Sequence, residues 1–133
     1  MRVVIDTNVL VSGVLNPHGS PGRVVDSILS QTITVLYDDR ILLEYRDVLL
    51  RPFFGFQVAD VNALLDFIVF SGEQITAGPV NLILPDPTDM PFLEVAVAGS
   101  AAALVTGNLK HFKPIRGRHT ISLLSPVELL RLI

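Results

Sequence analysis

The sequence predicts an α/β domain of three layers, with a central, mainly parallel sheet lying between helices. Short β-branched runs alternate with segments whose apolar residues recur at helical intervals, the pattern of strand–helix–strand units with right-handed crossovers. The 133 residues are half hydrophobic and contain neither an internal repeat nor a linker, so residues 1–133 read as one domain with one core.

The first strand is expected over Arg2 to Asp6 and a short helix over Val9 to Val14, closed by Asn16-Pro17 and the Gly19 to Gly22 loop. Pro21 suits the start of a helix, and Val24, Val25, Ile28 and Leu29 keep a one-face spacing to about Ser30. Ile33 to Tyr37 is a β-branched strand, and Asp38-Asp39 can cap the next helix, whose apolar face holds Ile41, Leu42, Tyr45, Val48 and Leu49 before Pro52 ends it. Val61, Leu64, Leu65 and Ile68 mark a helix over about Val58 to Phe70, and the Ile75 region suits a short strand. Leu82-Ile83-Leu84 runs into the turn Pro85-Asp86-Pro87-Thr88-Asp89, where Thr88 or Asp89 can cap a helix from Met90 to about Ser100. A strand over Ala103 to Thr106, a short helix around Leu109 to Phe112, a strand over Ile121 to Leu124 and a helix begun by Ser125-Pro126-Val127-Glu128 complete the chain.

Composition narrows the function classes. The absence of cysteine excludes disulfides, thiolate metal sites and cysteine nucleophiles. A net charge of −3 exerts no global pull on nucleic acid or anionic membranes, so attraction to phosphate must be local. One local feature exists: no lysine or arginine lies between Arg51 and Lys110, whereas Lys110, Lys113, Arg116 and Arg118 crowd together with His111 and His119. That segment suits either a solvated loop or a phosphate-contacting rim. Asp6 interrupts the first apolar run too early for a signal peptide or a membrane span, so a soluble cytoplasmic protein is expected.

Ligands of open α/β sheets gather at the carboxyl ends of the strands. There the sequence would bring together Asp6, Glu44, Asp86 with Asp89, and Thr106-Gly107-Asn108. Each alone has an ordinary reading, as cap, solvated helix residue or turn residue. Together they form an acidic cluster whose mutual repulsion calls for a cation, and hard divalent ions such as magnesium and manganese take oxygen ligands of this kind. Phosphotransfer is disfavoured because Asn8 stands where a second aspartate would be needed, and because the acidic pair and late lysine of receiver domains are missing.

The blocks Val-Ile-Asp6-Thr7-Asn8-Val-Leu, Glu44, Asp86-Pro-Thr-Asp89-Met-Pro-Phe-Leu-Glu94 and Leu104-Val-Thr106-Gly107-Asn108-Leu-Lys-His111-Phe112 resemble, in order and spacing, those of PIN domains. More narrowly, the chain is similar to the VapC-related toxin components of bacterial toxin–antitoxin systems. The resemblance implies a Mg2+- or Mn2+-dependent endoribonuclease with a small antitoxin partner and a homodimeric state. It implies an acidic centre of Asp6, Glu44 and Asp89, with Asp86 a neighbouring candidate and Glu94 a weaker one. Thr7 and Asn8 would order the first carboxylate, and Thr106 and Asn108 would line the cleft. Asn8, Thr106, Lys110, His111, Lys113, Arg116 and Arg118 are the candidates for holding the RNA backbone. Many members carry an aspartate where this chain has Asn108 or His111, and a second reading is therefore a catalytically weakened RNA-binding or regulatory module.

Overall fold

The computed structural model describes residues 1–115 and 121–133. Five strands, β1 (Arg2–Ile5), β2 (Thr34–Tyr37), β3 (Glu73–Gln74), β4 (Ala103–Val105) and β5 (Ser122–Leu124), form one sheet in the order β3-β2-β1-β4-β5. Every pairing is parallel, with Val3 opposite Val35 on one side and Ala103 on the other. Among the described residues, six α-helices connect and cover them: α1 (Thr7–Leu15), α2 (Ser20–Leu29), α3 (Asp39–Leu49), α4 (Val58–Ser71), α5 (Met90–Ala98) and α6 (Pro126–Leu130).

Successive strand residues point to opposite faces of a sheet. Val3, Val4 and Ile5 are all buried, as are Ala103, Leu104 and Val105, so both faces of the central strands are covered. On one face α5 packs across β1, β2 and β4; elsewhere α1 packs on α2 and α3, and α2 on α6. The edge strand β3 is only two exposed residues long and adjoins Ile75, where a short strand is expected and whose N–H bonds the Tyr37 carbonyl at 2.8 Å. Among the described residues, no helix is long and apolar enough to cross a membrane.

Boundaries depart from expectation where a side chain or proline redirects the backbone. Helix α1 begins at Thr7 rather than Val9, immediately after the β1 strand, leaving Asp6 at the junction. The short helix expected at Leu109 to Phe112 is a 3-10 segment extending to Ile115, with Pro114 inside it. Asp38 caps α3 by accepting the Ile41 N–H at 3.0 Å, and Ser125 with Glu128 forms a reciprocal capping box on α6.

Gly13 lets α1 approach α2 at backbone distance, and Gly22 lets α2 lie against the Pro17 turn that joins them. A Cβ on Gly13 would stand 2.6 Å from a methyl of Val25 and 2.7 Å from the Pro21 carbonyl oxygen; one on Gly22 would stand 2.3 Å from the Pro17 carbonyl oxygen. Rigid backbone cannot yield to such an overlap as a flexible side chain can, so α2 would have to shift. Gly22→Ala is therefore expected to destabilise the fold by about 1–3 kcal/mol, in the range of overpacked cores. Denaturant unfolding of the two proteins, compared at equal slope, measures this.

Candidate active site

All strands of a parallel sheet end on one edge, and the site is built from the segments that leave it. β1 delivers Asp6, whose N–H continues the ladder to the Val105 carbonyl at 2.9 Å. Its carboxylate makes no capping bond into α1; Oδ2 instead accepts the Thr106 hydroxyl at 2.7 Å, from the residue that follows β4. The Thr106 oxygen in turn accepts the Asn108 N–H at 2.9 Å, and Asn8 Oδ1 accepts the Gly107 N–H at 3.2 Å. The ends of β1 and β4 are thus joined by three bonds.

This arrangement revises several residue roles. Thr106 is fully buried, its hydroxyl donating to Asp6 and accepting from Asn108. Through their side chains, Thr7 and Asn8 turn to other partners than Asp6: the Thr7 hydroxyl donates to Glu44 Oε2 on α3, and Asn8 holds Gly107. Glu94 Oε1 accepts from Arg40 at 2.7 Å, and Arg40 also holds Asp38 at 2.9 Å, so Glu94 is already matched to a cation. Lys110 and Lys113 are exposed on the 3-10 segment, while Arg116 and Arg118 lie outside the described residues.

The turn before α5 supplies the second half of the cluster. Asp86 Oδ1 accepts both the N–H and the hydroxyl of Thr88, at 3.0 and 2.8 Å, which lowers its pKa below the ordinary carboxylate value. Asp89 stands at the start of α5 without capping it, is 8% exposed, and has one oxygen, Oδ2, that is buried and makes no hydrogen bond. His111 Nδ1 lies 3.2 Å from that oxygen, near enough for charge but without hydrogen-bond geometry. Asp86, Asp89 and His111 each place one potential ligand atom within 4.8 Å of the others.

Burial raises the pKa of Asp6, and Glu44 adds to the rise, while hydrogen bonding from the Thr106 hydroxyl and the Thr7 backbone and the charge of His111 oppose it. Burial likewise raises Asp89 to about 6, reinforced by Asp6, Asp86 and Glu44 and opposed by His111. Asp89 therefore senses the other three carboxylates across the cleft, and the site holds more negative charge than the described residues neutralise. A hard cation with oxygen ligands fits that donor set and would satisfy the orphaned Asp89 oxygen.

Two contributors escaped sequence reasoning. Tyr45, read only as part of an apolar face, is fully buried and donates its hydroxyl to the Ile5 carbonyl just before Asp6, with its ring 6.3 Å from Phe92. It adjoins Glu44 in sequence, so one turn of α3 fixes both the end of β1 and the Thr7 partner. Arg40 gave no signal beyond its place one residue after Asp39.

Fold and site together define a parallel α/β domain with a crevice of carboxylates at its strand ends. The sequence profile of the PIN domain matches residues 2–110, and the chain belongs to the PIN domain family, which is of the nuclease type. It is 32% identical over 111 residues to the uncharacterized protein MJ1680 of Methanocaldococcus jannaschii, a match covering 81% of this chain and 71% of that protein. The fold is also similar to a chain in the crystal structure of VapBC2 from Rickettsia felis bound to a DNA fragment from their promoter. That match has a TM-score of 0.57 and 18% identity, and covers 94% of this chain and 98% of the other.

A carboxyl group that is harder to ionise folded than unfolded destabilises the folded state progressively as pH rises from its unfolded-state pKa to its folded-state pKa, fully above the latter and not at all when protonated in both states. For Asp89 that penalty is absent near pH 4 and complete above about 6. In EDTA, Asp89→Asn should therefore raise the melting temperature at pH 8, with the gain shrinking toward pH 4. Melts at the two pH values test this; a gain that is equal at both would contradict it.

Proposed function

We propose that this chain is a divalent-metal-dependent endoribonuclease, cytoplasmic, and the toxin of a toxin–antitoxin pair. The observation that carries the nuclease reading is the buried, unbonded Asp89 oxygen on a carboxylate raised by the charges of Asp6, Asp86 and Glu44. Asp6, Glu44 and Asp89 would hold Mg2+ or Mn2+, with Asp86 beside them. Bound there, the ion supplies Lewis acidity, lowering the pKa of the attacking water and offsetting charge on the phosphate oxygens.

The remaining work belongs to the chain. The Thr106 and Thr7 hydroxyls hold Asp6 and Glu44 in fixed orientations, so the carboxylates need no reordering when substrate arrives. Asn8 fixes the Gly107 turn, and with it the position of Asn108. Lys110 and Lys113, with Arg116 and Arg118, would contact the RNA backbone as a basic rim beside an acidic centre.

For the partner, an apolar groove of about 580 Å3 runs between α1, α2 and α4, lined by Val14, Val25, Leu29, Leu64 and Phe67. None of the site carboxylates lines it. Leu29 and the neighbouring Phe70 are exposed, and a small antitoxin would bury such surface. The similarity in fold to a VapBC2 chain supports the same partner class. Homodimerisation is proposed with it.

Cleavage of a mixed single-stranded RNA by the purified chain tests the reading. Turnover is expected with manganese or magnesium and not with EDTA, falling to background in Asp6→Asn and in Asp89→Asn while circular dichroism is unchanged. RNA binding without cleavage would shift the function to a binding module; cleavage surviving both variants would dismiss this centre. Because Asn108 contributes no charge, Asn108→Asp should tighten divalent-ion binding in calorimetric titration, and equal or weaker affinity would refute its place beside the metal.

A further inference from the structure

We propose that His111 is a nitrogen ligand of the metal centre, completing with Asp86 and Asp89 a mixed oxygen–nitrogen set that prefers manganese to magnesium. The inference rests on the metal-dependent reading above and assigns to His111 a role distinct from RNA contact.

Two separate segments converge to make the set. Asp86 and Asp89 come from the turn before α5, and His111 from the 3-10 segment after β4, yet one donor atom of each lies within 4.8 Å of the others. The two bonds from Thr88 hold Asp86 through Oδ1 alone, which leaves Oδ2 as its available donor. Asp89 is 8% exposed and its Oδ2 has no hydrogen-bond partner, although His111 Nδ1 stands 3.2 Å away.

That pairing is unusual for a simple ion pair. A protonated imidazole serving only as a counter-charge gains most by aiming its N–H along a carboxylate lone pair, and here the contact lacks that geometry. Two ligands at right angles, each about 2.1–2.2 Å from a common ion, stand about 3 Å apart, close to the separation found. Magnesium takes oxygen ligands and keeps its waters, whereas imidazole suits the first-row transition ions; manganese shares magnesium's oxygen ligands but belongs to that series, so of these two ions the nitrogen favours manganese.

The test is calorimetric titration of the full chain with Mn2+ and with Mg2+, for wild type, His111→Gln and His111→Asp, together with pulsed electron paramagnetic resonance of the manganese complex. Wild type should show the nitrogen coupling of a directly bound imidazole. His111→Gln should lose that coupling and about tenfold in manganese affinity, with magnesium affinity changed by less than about threefold. His111→Asp should bind manganese without nitrogen coupling and magnesium more tightly than wild type. Manganese bound by wild type without the coupling, a coupling that persists in His111→Gln, or equal losses for both ions would overturn the assignment while leaving a carboxylate site in place. Binding of neither ion would overturn the metal-dependent reading itself, and the assignment with it.

Discussion

The hydrogen bond from the Thr106 hydroxyl to the Asp6 carboxylate is the constraint around which the site is arranged. It joins the ends of two neighbouring parallel strands at the one edge where a sheet of this kind leaves a crevice. Asp6 is almost wholly buried, so without that donor its carboxylate would be desolvated with less compensation, and its pKa would rise further. Thr106 can serve as donor because the Asn108 N–H occupies its other face, and Asn108 is placed by a turn that Asn8 holds from the far side. A run of short-range bonds therefore carries the geometry of one carboxylate across two loops.

The electrostatic balance is deliberately incomplete. Some acids near the cleft are neutralised within the protein: Glu94 and Asp38 share Arg40, and Asp86 is stabilised by the Thr88 donors. Asp6 and Asp89 share no arginine, and both are raised by burial, Asp6 further by the charge of Glu44 and Asp89 by that of Asp6. Placing the uncompensated charge on the two most buried carboxylates concentrates the field at one point in the cleft. A folded chain that tolerates such repulsion does so on the stability of its core, here the buried central strands and the α5 helix laid across them.

Most of the fold was legible because its elements are simple. The runs Val3-Val4-Ile5, Val35-Leu36-Tyr37 and Ala103-Leu104-Val105 are apolar throughout, as strands buried on both faces must be, and prolines mark the ends or beginnings of α2, α3 and α5. What the sequence concealed depends on tertiary geometry. The start of α1 at Thr7 follows from the abrupt turn at Asp6, and β3 is too short and too exposed to carry a periodic signal. At the site, the identities of the carboxylates were visible as residues at strand ends, but not their partners. Nothing local says that Thr7 reaches Glu44 while Thr106 reaches Asp6, or that the Tyr45 hydroxyl bonds the Ile5 carbonyl. The separation of Asp86, held by its own turn, from Asp89, left with a bare oxygen, is likewise a matter of burial and geometry.

Asp6 and Thr106 are 100 residues apart, and His111 comes later still. During synthesis the β1–β2 pair and its helices can form early, but β1 then presents an open side until β4 has emerged to close it. Until that late pairing the carboxylates have no fixed relation to one another, and a partly made chain carries the residues of the centre without its geometry. The order of the strands thus acts as a clock: the crevice between β1 and β4 closes only when translation of the domain is nearly over.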